Sequence, residues 1–111
     1  MSWLDEALEV SSQPVLVDTS GLDGFPKTIS VQPLSASEYN VLKKHPDMRG
    51  LSDSDLAEAL GLRMIFTMLE KCDESLDFAL FMRLPLTTIS ALTEIVLGAV
   101  GITGGGVLGE S

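Results

Sequence analysis

The chain has 111 residues, about one domain's length, with sixteen Asp and Glu against seven Lys and Arg and a formal net charge of −9. So acidic a surface repels phosphate backbones and argues against ordinary nucleic-acid binding. An apolar fraction of 45% argues against global disorder. The lone cysteine, Cys72, permits neither an intramolecular disulfide nor a cysteine metal cluster.

The first residues, MSWLDEALEV, carry acids where a secretory signal would carry Lys or Arg, so they do not read as a signal peptide. Residues 2–11 read instead as a short helix. Ser2 and Asp5 have the spacing of an N-terminal cap, and Trp3, Leu4, Ala7, Leu8 and Val10 give it an apolar side. Gln13-Pro14 ends it. PVLVD (14–18) has strand composition, and TISVQPL (28–34) alternates, with Ile29 and Val31 on one face and Pro33 suited to a strand end. Between them lies a segment rich in turn formers, Ser20 to Pro26, so the two strands are expected to pair as a hairpin. A two-stranded hairpin cannot stand alone and needs helices over its apolar face.

The remainder reads as helix. Ser35 and Glu38 have capping-box spacing and open a helix from Ala36 to about His45, stopped by Pro46. The SDSD run (52–55) caps a longer helix from Asp53 to about Lys71, whose row Leu56, Leu60, Met64, Met68, Cys72 falls at spacing four. That row makes Cys72 a small buried hydrophobe. A further helix is expected from Asp73 through Leu76, Ala79, Leu80 and Arg83, ended by Pro85. A last one begins at Thr87 or Thr88, with Ile89, Leu92, Ile95, Val96 and Ala99 covering a wide apolar arc. The expected fold is α+β and mostly helical: a small N-terminal β-hairpin packed on a bundle of about four short helices. It forms one domain in three stretches. Residues 1–27 hold the first helix, strand and turn region, residues 28–101 the compact mainly helical part, and residues 102–111 a flexible Gly-rich tail.

Catalytic and metal chemistry find no footing in this pattern. His45 sits at a helix end, where the dipole favours it, with no nucleophile or orienting motif attached. Asp53, Asp55 and Glu58 complement a helix N-terminus and lack the alternation of a calcium loop. The glycines at 101, 104, 105 and 106 follow a helix and have no Lys-Ser or Lys-Thr behind them, unlike a phosphate loop. No catalytic, metal or cofactor-binding residue is assigned, and the chain does not read as an enzyme. A membrane span is not expected either. Between Leu84 and Gly109 Glu94 is the single charge, but it interrupts the one stretch that approaches the length required.

The unusual feature is DFALFMRLPL (77–86), where apolar residues cover more than one helical face. A domain this small cannot bury them all, and exposed apolar patches mark interaction sites. Phe78, Phe81, Met82, Leu84 and Leu86 are therefore the candidate partner-binding residues, some of which must also serve the core.

Two segments carry a resemblance to a known family. VQPLSASEYNVLKK, with Val31, Pro33, Leu34, Ser35, Ala36 and Glu38, and LPLTTISALTEIVLGAVGI, with Leu84, Pro85, Ile89, Leu92, Ile95, Val96, Leu97 and Gly98, resemble the tail assembly chaperones of long-tailed bacteriophages, the siphovirus type included. The resemblance spans about residues 28–101. Many members carry an acidic Asp-x-x-Gly-x-Pro insertion between helices where this chain has the short link DMRGLSDSD. It implies a non-enzymatic protein that acts in the host cytoplasm and is absent from the mature virion. There it would bind the tape-measure protein, keep it soluble and help recruit tail-tube subunits. It also implies a longer product made by ribosomal frameshifting, for which the Gly codons of GITGGGVLGES could supply a slippery run. Two other readings stand beside it. One is a small structural virion or adaptor protein that forms a homo-oligomer through the same apolar surface. The other is an acidic mimic of nucleic acid, disfavoured because the carboxylates are dispersed among helix starts.

Overall fold

The computed structural model describes residues 2–101. The order of elements is α1 (Trp3–Ser11), β1 (Val15–Asp18), β2 (Thr28–Val31), α2 (Ala36–Lys43), a 3₁₀ turn (Pro46–Met48), α3 (Asp53–Glu70), α4 (Phe78–Phe81) and α5 (Leu86–Ala99). The fold is α+β and mainly helical, with the two strands paired antiparallel in a hairpin. The tail expected to be flexible lies outside the described residues.

In the hairpin Val15 faces Val31, Leu16 faces Ser30, Val17 faces Ile29 and Asp18 faces Thr28. Period-two alternation then puts Val15, Val17, Ile29 and Val31 on one face. That face is covered by helices, β1 lying against α5 and β2 against α3. Val17 and Val31 meet Ile65, Met68 and Leu69 of α3 and Ile89, Leu92 and Val96 of α5 in one core. The long connection between the strands is ordered by Thr19. Its buried hydroxyl donates to the Pro26 carbonyl at 2.6 Å, and its N–H donates to the Lys27 carbonyl at 2.9 Å. Gly24 takes the left-handed conformation, φ 82°, that closes this turn.

The chain leaves β2 through a junction with the end of α3. The Gln32 N–H donates to the Met68 carbonyl at 3.1 Å. Lys71 Nζ donates to the Pro33 carbonyl at 2.8 Å and to Glu38 Oε1 at 2.7 Å. The same Glu38 oxygen accepts the Ser35 N–H at 2.8 Å, while Ser35 Oγ accepts the Glu38 N–H at 3.1 Å. The capping box read from the sequence is thus formed, and one lysine ties it to the far end of the longest helix.

Three expectations are corrected. The helix expected from Asp73 through Arg83 is a loop followed by the single turn of α4. The Asp73 carboxylate takes both the N–H and the hydroxyl of Ser75, a local turn that competes with helix. Helix resumes when Asp77 Oδ1 caps the Ala79 N–H at 2.7 Å. Cys72 is exposed rather than buried, because α3 stops at Glu70 and the spacing-four row loses its face there. The last helix starts at Leu86, directly after Pro85, rather than at Thr87 or Thr88.

The hydrogen bond from Lys71, then that from the Ser35 N–H, hold the Glu38 carboxyl below its usual range, against a smaller opposing effect of burial. A lowered folded-state pKa contributes stability that is present above the unfolded pKa and lost as pH falls through the folded one. Glu38→Gln is therefore expected to lower stability at neutral pH by about 0.5–1 kcal/mol, a solvent-screened figure for a partly exposed pair. The gap to wild type should close on acidification below the ordinary glutamate range. Thermal melts across pH check this, and a gap independent of pH contradicts it.

Candidate functional site

The five residues expected to bind a partner divide into two groups. Phe81 is core, only 8% exposed. Its ring lies 5.4 Å from that of Phe66 and 6.0 Å from that of Phe78, and Phe66 and Phe78 meet edge to face at 5.2 Å. Phe78 is half-buried, with the Arg63 guanidinium 3.7 Å from its ring centre, and Arg63 is itself held by Asp47 at 2.9 Å. Leu84 is half-buried against the same core. These three are the members of the set that serve the core, because the short α4 must lie on α3 to bury its phenylalanines. Met82, 45% exposed, and Leu86, 75% exposed, remain in solvent at the corner between α4 and α5. Leu80, 58% exposed, is likewise on the surface and was not among the five. The overloaded apolar run DFALFMRLPL was its only sequence signal.

Beside that corner, an open groove of about 640 Å³ runs between the hairpin and the loop that enters α4. Thr28, Ile29 and Ser30 of β2 form one side, and Leu76, Leu80 and Leu84 form much of the other. Its floor is the aromatic and aliphatic core. Asp73 and Asp77 stand on its rim, and among the described residues no Lys, Arg or His lines it. Hydrogen bonds from the side chain and then the backbone of Ser75 hold the Asp73 carboxyl below its usual range, which favours its anionic form. Nothing in the sequence marks the groove, because one side precedes α2 in the chain and the other follows α3.

A second, smaller groove of about 310 Å³ lies among α2, α3 and α5, lined by Tyr39, Leu60, Gly61, Met64 and Leu97 among others. Met64, expected in the core by spacing, is half-exposed there. At the N-terminus every described side chain of α1 is exposed. The helix forms as expected, with Ser2 donating its N–H to Asp5 at 3.1 Å, but its apolar side faces solvent.

The groups considered for chemistry have local structural roles. His45 Nδ1 accepts the Asp47 N–H at 3.1 Å and caps the 3₁₀ turn. Among the described residues no cluster of His, Cys, Asp or Glu is placed to hold a metal ion. Nor is any described helix long and apolar enough to cross a membrane. No family model, curated protein or solved structure matches the chain.

The split between core and surface has a direct test. Phe81→Ser is expected to destabilise the domain by about 3–5 kcal/mol, whereas Met82→Ser and Leu86→Ser should stay within about 0.5 kcal/mol of wild type. Denaturant titration monitored by circular dichroism distinguishes them. Equal losses for all three would place Met82 and Leu86 in the core.

Proposed function

We propose that this chain is a tail assembly chaperone of a long-tailed bacteriophage. In this reading it acts in the host cytoplasm without catalysis, holds the tape-measure protein soluble and helps bring tail-tube subunits to it. The observation that carries the reading is the exposed apolar corner of Leu80, Met82 and Leu86 on an otherwise acidic domain. A holding chaperone needs such a pairing: pliable apolar side chains that adapt to a partner, on a body whose charge keeps it dispersed. The family resemblance of residues 28–101 supplies the partner's identity.

A second reading, a structural component that self-associates, draws support from α1, which leaves Trp3 78% exposed together with Leu4 and Val10. Particle composition separates the two, since a chaperone is absent from finished virions.

The test is co-expression with the longest helical protein encoded just downstream, scored by solubility and co-purification. A soluble complex is expected with this chain. The double variant Met82→Ser, Leu86→Ser should lower recovery of the complex about tenfold or more while keeping the wild-type melt. A partner that stays insoluble, or a complex indifferent to both changes, would contradict the proposal.

A further inference from the structure

The outer edge of β2 is an unfilled strand position, and the groove beside it is shaped for what would fill it. In an antiparallel ladder, residues that exchange hydrogen bonds alternate with residues whose N–H and C=O point away from the partner strand. The Thr19 N–H donates to the Lys27 carbonyl, which fixes the phase. By the observed register, Val17–Ile29 and Val15–Val31 are the bonded pairs. Thr28 and Ser30 therefore direct their backbone groups outward. The next outward residue, Gln32, shows what that edge requires, because its N–H is taken by the Met68 carbonyl of α3. At Thr28 and Ser30 no described residue supplies a partner to the outward N–H or C=O. Those two residues line the 640 Å³ groove.

We infer that this groove binds an extended peptide segment of another protein, which adds to β2 as a third strand and carries alternating apolar and basic side chains. The backbone edge specifies an extended chain, since only a strand can meet successive outward donors and acceptors at this spacing. The walls at Phe25, Leu76 and Leu80 receive the apolar side chains that point toward the core face. Asp73 and Asp77 on the rim, with no cation among the lining residues, select Lys or Arg over Asp or Glu. The inference does not depend on the chaperone reading. A helical segment held on the exposed corner and a strand held in the groove would share Leu80, while Met82 and Leu86 serve only the first and the β2 edge only the second.

The probe is a blocked synthetic peptide alternating valine and lysine, added to the full-length chain and followed by fluorescence anisotropy and by amide exchange in NMR spectra. Binding is expected, with slowed exchange at the Thr28 and Ser30 amides and little change at Val17 and Ile29, which are already bonded. The same peptide N-methylated along the edge that meets β2, and the version with glutamate for lysine, should each bind about tenfold more weakly or worse. Ser30→Pro removes one outward donor at an edge position that tolerates proline, and should weaken binding while the hairpin persists. If that variant does not fold, the N-methylated peptide still decides the matter. Absent binding, equal binding of the modified peptides, or binding without protection at Thr28 and Ser30 would overturn the inference. Concentration-dependent protection of those amides without peptide would overturn it too, by showing that a second copy fills the edge.

Discussion

The architecture depends on the grip that the C-terminal end of α3 exerts on the chain as it leaves β2. A two-stranded hairpin is marginal in water and owes its stability to whatever covers it. Here the covering helix also holds the strand directly, through the Gln32 N–H on the Met68 carbonyl. Lys71 extends that hold, bridging the Pro33 carbonyl and Glu38. The junction orients β2, the start of α2 and the end of α3 together.

The second governing fact is an excess of apolar side chains over core. The core is built from Val17, Val31, Met68, Leu92 and Val96 with the phenylalanines of α3 and α4 around them. Once Phe81 and Phe78 are packed against Phe66, α4 is too short to hide its other side chains, and Leu80 and Met82 stay outside. Among the described residues, α1 contributes none of the buried ones. The molecule thus combines an acidic composition with exposed apolar side chains in α1 and at the corner after α4, besides single ones such as Leu16 and Val41. The polar side chains that could have served catalysis are occupied locally, as His45, Asp73 and Asp77 are in turn and cap hydrogen bonds.

Local signals in the sequence were legible where physics is local. The Ser35–Glu38 capping box, the proline after Gln13, the alternation through Ile29 and Val31, and the spacing of Leu60, Met64 and Met68 each locate an element within a few residues of its observed bounds. Misreadings arose where a short-range competitor or a missing partner decided the outcome. Asp73 and Ser75 form a side-chain turn that outweighs the helical periodicity of Leu76, Ala79 and Leu80. Cys72 continues an apolar row in sequence but lies beyond the end of α3. The apolar side of α1 marks a helix without saying whether anything covers it. Of the five candidate contact residues, Met82 and Leu86 remain on the surface, while Phe81 required knowledge of Phe66 as its neighbour. The groove was illegible, because it is made by residues far apart in the chain and by backbone groups whose direction depends on register.

Residue-resolved native-state hydrogen exchange tests the central claim, that the hairpin and the end of α3 form one cooperative unit. The Gln32 amide should exchange as slowly as those of Val17, Ile29 and the buried turns of α3, with a free energy close to that of global unfolding. Amides of α1 should exchange far faster. A Gln32 amide that opens well below the global value while α3 stays protected would contradict the account, as would protection of α1 equal to that of the core.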